Sequence, residues 1–210
     1  MATTPAKSRG MRRKPRQARS QERVNRILDT AEQLFIEEGY DTTTTNAIAT
    51  LAQVPIGSLY QFFPDKAAIL YALAERYMEM LHQKIAALDS EELLQLPLSE
   101  YVEQTVDATN QFFIDCPGYH AIFMQVQGTM PELERLENAA DAQFIKDWAV
   151  ELAQRDTTLT AADCEAIAFV LVKAIGTLLW LSLGQTPDFR NRLVLETKRF
   201  TLSYLQSYCS

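Results

Sequence analysis

The stretch from Thr43 to Leu70, TTTNAIATLAQVPIGSLYQFFPDKAAIL, decides how this chain folds. The threonines at its start are good N-cap residues for a short helix that runs through Ala52. Pro55 suits the first position of a second short helix, ending near Phe62, because proline lacks the amide hydrogen that this position leaves unbonded. Asp65 can then cap a longer helix. The stretch therefore predicts two short helices joined by a tight turn, with a long helix after them.

Such a pair of short helices is the helix-turn-helix arrangement, which places its second helix in the major groove of DNA. The residues expected to pack the two helices together are small or branched: Ile48, Ala49, Leu51, Ala52, Val54 and Leu59. A glycine, hydroxyl groups and amides remain for the outer face, where little side chain separates the backbone from DNA phosphates. The pattern indicates a DNA-binding unit.

Helical periodicity also governs the sequence on either side of this stretch. Before it, apolar residues from Val24 to Phe35 recur at intervals of three and four, and Gly39 can end that helix in the left-handed conformation. After it, prolines and glycines separate five further helices, predicted near residues 98–115, 117–129, 131–155, 161–184 and 187–208. No segment predicts a strand. The predicted fold class is all-α, with an N-terminal three-helix helix-turn-helix unit joined to a larger C-terminal helical body.

Charge is distributed unevenly along the 210 residues, whose net charge is −7. Up to Arg26 the chain carries nine lysines and arginines against one acid, Glu22, whereas the remainder is acidic. A basic end in front of an acidic body predicts that a polyanion binds at that end. We expect three regions: a basic disordered arm (1–18), the helix-turn-helix domain (19–66) and the body (67–210).

The arm has two interpretations. It is either a solubilising tail or a segment that lies along DNA phosphates or in the minor groove. Its cations are Lys7, Arg9, Arg12, Arg13, Lys14 and Arg16.

Several protein classes are disfavoured. Cys116, Cys164 and Cys209 are odd in number and widely spaced, which argues for structural thiols in a reducing, cytoplasmic compartment. The sequence predicts no signal peptide. The apolar run 166–183 could span a membrane, but Lys173 at its centre favours a buried helix in an oligomer core.

Signs of catalysis are also weak. The sequence has neither a phosphate-binding glycine loop nor a recognisable nucleophile–base set, and Cys116 near His120 is only a faint hint of a metal site. We expect no catalytic residue, no metal and no cofactor, with an all-α enzyme as the alternative.

One group of residues points to a specific family. The matching residues are Gly39-Tyr40, Thr43-Thr44-Thr45, Ile48-Ala49, Ala52, Val54, Gly57-Ser58-Leu59-Tyr60, Phe63, Asp65-Lys66 and Ile69-Leu70. Over residues 20 to 70 the chain resembles the N-terminal signature of the tetracycline-repressor (TetR) family of bacterial transcriptional regulators. The resemblance implies a cytoplasmic homodimer that binds a pseudo-palindromic operator in double-stranded DNA and is released by a small-molecule effector. A constitutive DNA-binding protein without an effector is the alternative.

The resemblance also implies DNA-binding positions. They are Thr44, Thr45 and Asn46 at the start of the first short helix, Ile56, Gly57, Ser58, Tyr60, Gln61 and Phe62 in the recognition helix, and Lys66 at the start of the next helix. Asn46 and Gln61 could each read adenine, contact phosphate or remain solvated. Gln53 departs from the pattern because the family commonly has glycine in the turn. If the backbone there is left-handed, glutamine costs roughly 1 kcal/mol relative to glycine.

The body is expected to bind the effector and to form the dimer. Candidate ligand-binding residues, for which plain core is the alternative, are Phe112, Phe113, Phe123, Met124, Phe144, Trp148, Phe169 and Lys173, with Asn110, His120 and Gln125 as further polar lining. The last two helices carry more apolar surface than a monomer would leave wet, and the resemblance places the dimer interface there. These interface residues are Ile167, Val170, Leu171, Ala174, Leu178, Leu181, Phe189, Leu193, Phe200 and Tyr204.

Overall fold

The computed structural model of the chain describes residues 11–12, 18–88 and 95–208. Within these ranges it contains nine helices and no strand, which confirms the all-α prediction. In chain order they are α1 (Ala18–Glu37), α2 (Thr45–Leu51), α3 (Ile56–Phe62), α4 (Lys66–Ala86), α5 (Leu98–Asp115), α6 (Pro117–Val126), α7 (Pro131–Arg155), α8 (Ala161–Ser182) and α9 (Pro187–Gln206).

Part of the predicted basic arm lies outside the described residues. The arm cations outside are Lys7, Arg9, Arg13, Lys14 and Arg16, and Cys209 also falls outside. Arg12 is described, and its backbone amide donates a hydrogen bond to the Phe62 carbonyl at 2.7 Å.

Local chemistry fixes the ends of the helices around the turn region. Gly39, just past α1, has φ +89, the left-handed conformation that glycine adopts without a Cβ clash. Thr44 is the N-cap of α2, and its hydroxyl accepts the Ala47 amide at 3.1 Å. Asp65 caps α4 by accepting the Ala68 amide at 2.8 Å. Each of these residues was a predicted boundary.

Two further helices begin at or next to their predicted first residues. Thr160 and Asp163 form the predicted capping box, in which each side chain accepts the other residue's backbone amide at 3.2 Å. Pro55 is the N-cap of α3, one position earlier than the predicted first helical position.

The first compact unit comprises residues Met1–Tyr77 and Ala121–Leu136. It contains α1, α2 and α3, the first part of α4, and the residues where α6 ends and α7 begins. Arg76 of α4 forms an ion pair with Glu32 of α1, and the Tyr77 hydroxyl donates a hydrogen bond to the same carboxylate. These contacts join α4 to α1 inside the unit.

The unit extends beyond the expected domain boundary at residue 66. Residues 67–77 group with the N-terminal helices rather than with the body. Their side chains explain why, because Ala68, Ile69, Leu70 and Leu73 are completely buried, so this part of α4 is core rather than a surface linker.

The second compact unit comprises residues Met78–His120 and Glu137–Ser210. In it α9 packs against α5 and α8, and α5 also packs against α8. Its largest fully buried side chains are Phe112, Ile167 and Leu171. This three-helix contact forms the core of the predicted body.

Helix α8 is long and apolar enough to cross a membrane by length and composition, as the sequence anticipated. One such helix is weak evidence for a membrane span, because the core helices of helical bodies share this composition. Lys173 at its centre forms an ion pair with Asp141 of α7 and donates a hydrogen bond to Asn138 at 3.2 Å. A charge partnered in this way fits the predicted packed helix of a body.

Candidate DNA-binding face and effector-binding residues

The helix-turn-helix has its own small core. Ile48 and Leu59 are completely buried, and Ala49, Ala52 and Val54 are nearly so. The prediction for Leu51 is wrong: its side chain is 52% exposed. Leu51 is the last residue of the seven-residue α2 and lies three residues after the buried Ile48, so this spacing alone does not decide whether its side chain is buried.

The turn between α2 and α3 holds Gln53 in the left-handed conformation, with φ +54. The backbone amide of Gln53 donates to the Thr50 carbonyl at 3.1 Å, and the Val54 amide donates to the Ala49 carbonyl at 3.0 Å. These two bonds form the Schellman motif that ends α2, in which the residue after the C-cap is left-handed. The sequence predicts a cost at Gln53 if the backbone there is left-handed, and the structure shows that it is. An L side chain therefore occupies a position that favours glycine.

Most predicted DNA-binding residues lie at the surface of this unit. Thr44, Asn46, Ile56, Gly57, Tyr60 and Gln61 are exposed, and Thr45 and Ser58 are half-buried. A Cβ built on Gly57 would have no atom within 4 Å, so packing inside the chain does not require glycine there. The hydroxyls of Thr45 and Tyr60 are 3.0 Å apart, which joins α2 to α3 across this face.

Phe62 departs from the predicted face. Its side chain is only 5% exposed, so it belongs to the core of the unit and is not available to DNA. It lies three residues after Leu59, and residues three apart share one side of a helix. The prediction of Phe62 as a DNA contact is therefore wrong.

Lys66 bonds to the backbone of a neighbouring loop. Its ammonium donates hydrogen bonds to the carbonyls of Tyr40, Asp41 and Thr43 in the loop between α1 and α2. The ammonium nitrogen also lies 4.4 Å from the centre of the Tyr40 ring. An ammonium has three donors, and all three are used by these carbonyls. Partial burial lowers the pKa of Lys66. These bonds give Lys66 a structural role in the described chain, and its contact with a phosphate stays a prediction.

The candidate ligand-binding residues are divided between the two compact units. Phe112, Phe113, Phe144 and Trp148 are buried in the second unit, and Lys173 is engaged by Asp141. Phe123 belongs to the first unit, where its ring lies 6.1 Å from the Tyr77 ring in an edge-to-face contact.

Two of these candidates are at the surface of the chain. Met124 is 48% exposed and Phe169 is 52% exposed, so the prediction that they line an enclosed chamber is wrong for this structure. Both were chosen for being bulky and apolar, a property that buried lining shares with surfaces that other molecules cover.

An apolar surface runs along the last two helices. Of the predicted interface residues, Ile167 and Leu171 are already buried within the chain, whereas Leu181, Phe189 and Phe200 are about half exposed. Other large apolar side chains exposed on α8, on α9 and just after α9 are Phe169, Leu195 and Tyr208. Exposed apolar area of this kind typically marks a protein–protein contact.

Two of the three cysteines lie among the described residues. Cys116 and Cys164 are buried, and neither forms a disulfide bond there. Within residues 11–12, 18–88 and 95–208, no three His, Cys, Asp or Glu side chains are placed to hold a metal ion.

The N-terminal and C-terminal parts of the chain both match models of one known protein family. Residues 27–73 match the model of bacterial regulatory proteins of the tetR family. Residues 97–205, more than half of the chain, match the tetracyclin repressor-like C-terminal domain. The chain belongs to the tetR family.

Individual relatives agree with this family. The HTH-type transcriptional regulator HbdR of Aromatoleum sp. is 40% identical over 65 residues, which are 31% of this chain and 28% of HbdR. The chain thus spans less than a third of the length of that relative. The HTH-type transcriptional activator FasR of Mycolicibacterium smegmatis is 27% identical over 170 residues, 80% of this chain and 76% of FasR. A tetR-family regulator from Streptomyces coelicolor, solved by crystallography, is 25% identical with a TM-score of 0.66, covering 91% of this chain and 99% of that one.

Gln125 is a residue of this tetR-family chain whose role the sequence did not reveal. Predicted as pocket lining, it instead bonds to the end of α1. Its side-chain oxygen accepts the Tyr40 amide at 2.8 Å, and its side-chain nitrogen donates to the Phe35 carbonyl at 3.2 Å. Phe35 is in the last turn of α1, where carbonyls lack helical partners. Gln125 is separated from these partners by 85 and 90 residues, and backbone groups leave no pattern in a sequence.

Proposed function

We propose that this protein is a ligand-responsive transcriptional regulator, a repressor that binds a pseudo-palindromic operator as a homodimer and leaves it when a small-molecule effector binds. The observation that carries the proposal is the outer face of α3, where Ile56, Gly57, Tyr60 and Gln61 are exposed above a buried helix-turn-helix core. A helix presented in this way has the geometry needed to enter a major groove.

Within this proposal the exposed residues divide by chemistry. Gln61 and Asn46 carry amides that can bond to adenine, whereas Ile56 can contact only a thymine methyl group. Gly57 and Ser58 allow the backbone near the start of α3 to approach phosphate, and Thr44 and Thr45 supply hydroxyls at the start of α2. The Tyr60 hydroxyl, beside that of Thr45, positions the helix rather than reading a base.

Operator selection tests the proposal directly. The full-length protein is used to select duplexes from a random pool, and the selected duplex is then titrated with the wild type and with Gln61→Ala. We expect a two-fold related site, and the variant should lose discrimination at one base pair of each half-site, worth about 1–3 kcal/mol. Gln143→Ala is a matched control on an exposed face of α7. Failure to enrich any duplex would refute DNA recognition.

Dimerisation is proposed from the exposed apolar surface of α8 and α9. A two-fold pairing of these helices as a four-helix bundle would cover Leu181, Phe189 and Phe200. Ala174, half-buried on α8, is expected to lie at this interface. Ala174→Glu should convert a dimer into a monomer in sedimentation velocity at micromolar concentration. A monomeric wild type would contradict the proposal.

We further propose that the protein works in the cytoplasm, has no catalytic activity and uses no cofactor. A constitutive DNA binder is the second candidate, favoured by the dispersed positions of the predicted ligand-binding residues. A compound screen for release of the selected operator separates the two: an effector that lowers operator affinity supports the regulator, and a complete screen without one supports the constitutive binder. A promoter fusion with and without the gene distinguishes repression from activation.

A further inference from the structure

An aromatic cluster in the second unit consists of two buried rings and two half-buried rings. The rings of Phe113 and Tyr119 stack with their centres 5.9 Å apart, and both residues are buried. Trp180 meets the Tyr119 ring edge-to-face at 5.1 Å, and the His120 ring centre lies 4.7 Å from that of Trp180. Trp180 and His120 are only half-buried. The outer pair therefore leaves ring surface that a ligand could cover.

A cation with a buried, unbonded nitrogen lies on α9, the helix that packs against the helix of Trp180. Arg190, in the first turns of α9, has a guanidinium nitrogen, Nη2, that is buried and makes no hydrogen bond within the described part of the chain. Arg190 is always charged, and a buried donor left without an acceptor is unfavourable. Arg192, two residues further along, pairs instead with Glu196 at 2.6 Å on the surface. The Arg190 guanidinium lacks an acceptor of that kind.

The charges around the cluster also favour an anion at this position. Burial lowers the pKa of His120, and the charge of Arg190 lowers it further, so these two basic groups lie close enough to repel each other. Glu137 and Asp141 of α7 act electrostatically on the hydroxyl of Tyr119 and raise its pKa, and Asp141 is engaged by Lys173. An anion next to Arg190 would relieve the repulsion between the two basic groups.

A second buried polar atom without a partner lies on the helix that carries Phe113. The side-chain oxygen of Asn110, three residues before Phe113 and therefore on the same side of α5, accepts no hydrogen bond in the described structure. Helix α5 packs against α9, the helix of Arg190. One donor and one acceptor thus remain unsatisfied on two helices that contact each other.

We propose that Arg190, His120 and Trp180 form a binding site for an aromatic carboxylate, whose carboxylate bonds to the Arg190 guanidinium while its ring covers Trp180 and His120. This inference rests on the proposed function, since it names the chemical class of the effector. Guanidinium and carboxylate match in shape and charge, and such bonds are stronger than neutral ones. The half-buried indole and imidazole supply apolar surface for a flat ring.

Binding of 1-naphthoate, with 1-naphthamide as its neutral counterpart, tests the site. The full-length Trp148→Phe protein is used, because the chain has two tryptophans and this change leaves Trp180 as the only tryptophan whose emission is followed. We expect saturable quenching by naphthoate at millimolar or lower concentration, with an affinity about tenfold or more above that of naphthamide. Arg190→Gln should remove this preference, whereas Arg192→Gln, the matched surface control, should keep it.

The imidazole provides a second readout that does not depend on Arg190 substitution. The chain has two histidines, so His82→Gln leaves His120 as the only imidazole in a proton NMR titration. Bound naphthoate should raise the pKa of His120, and naphthamide should leave it unchanged. Arg190→Lys, which keeps the charge but loses the planar fork, should weaken naphthoate binding less than Arg190→Gln if both variants keep the wild-type circular dichroism.

Three outcomes would overturn the inference. The first is equal binding of acid and amide, or no binding of either at millimolar concentration. The second is an unchanged His120 titration in saturating naphthoate. The third is an Arg190→Gln protein that binds naphthoate normally but no longer dimerises, which would assign the guanidinium to a second copy of the chain. Operator selection with the same protein separates these from failure of the proposed function, because a regulator with another effector would still enrich its duplex.

Discussion

Replacing Gln53 with glycine should stabilise the protein. The backbone of Gln53 has φ +54, and its side chain is exposed, so the substitution removes a Cβ from a left-handed position without removing a buried contact. An L residue in this conformation costs about 1–2 kcal/mol. Glycine also gains freedom in the unfolded chain, which offsets about 0.4–1 kcal/mol of that benefit. The expected net gain in the free energy of unfolding is about 0.5–1 kcal/mol, or roughly 1–4 °C in Tm.

Urea and thermal unfolding of the full-length protein, followed by far-ultraviolet circular dichroism, measure this gain. Gln53→Ala is the matched control, because it keeps the Cβ and should leave stability near the wild-type value. Gln53→Asn should lie between glycine and alanine, since asparagine tolerates the left-handed region better than most residues. Operator affinity should not change, because the turn keeps its φ angle. A glycine variant no more stable than the alanine variant would refute the strain argument at this turn.

Three other predictions follow from contacts in the two units. Gln125→Leu should destabilise the protein by about 1–3 kcal/mol in urea unfolding, since it removes two hydrogen bonds to the end of α1, whereas Gln143→Leu on an exposed face should have little effect. Lys66→Met should lower the free energy of unfolding by a similar amount, because it removes the bonds to the loop carbonyls. The slope of log operator affinity against log salt concentration should not change. A slope reduced by about 0.9 per subunit would show that Lys66 contacts a phosphate. Burial raises the pKa of Glu151, so the folded state holds this proton more tightly than the unfolded chain. The stability that the proton contributes is full below the unfolded pKa, near 4.5, and is lost as pH rises through the folded pKa. Glu151→Gln should therefore gain stability relative to the wild type as pH rises above about 4.5, and a difference that does not change with pH would contradict this.

The helix ends could be predicted because their causes are local. Gly39, Thr44, Asp65 and Thr160 act on backbone groups within four residues of themselves, so the sequence around each position contains the whole interaction. The burial of Phe62 was less certain from the sequence: it lies three residues after the buried Leu59, but Leu51 lies three residues after the buried Ile48 and is exposed. The family resemblance assigned Phe62 to the recognition helix without separating the two sides of that helix.

The distant contacts could not be predicted in the same way. Lys66 bonds to carbonyls 23 to 26 residues before it, and every residue has a carbonyl, so no residue type signals this partner. The exposure of Met124 and Phe169 could not be predicted either. An apolar residue in the sequence is compatible both with a buried core position and with a surface that another molecule covers. Sequence periodicity assigns residues to a helix face, but what that face meets depends on the rest of the fold.

One helix connects the proposed ligand site to the DNA-binding unit. Helix α6 (Pro117–Val126) contains His120, which belongs to the second unit, and Gln125, which belongs to the first. Gln125, five residues after His120, bonds to the end of α1. A ligand that shifts this helix would act on α1 through the Gln125 amide, and it can lower operator affinity only by the ratio of its affinities for the free and DNA-bound protein.

We therefore expect naphthoate to bind Gln125→Leu with wild-type affinity while releasing less operator than in the wild type. The effect should be reciprocal, with saturating operator weakening naphthoate binding by the same factor in the wild type and by less in the variant. Equal operator release by both proteins would exclude Gln125 from the coupling.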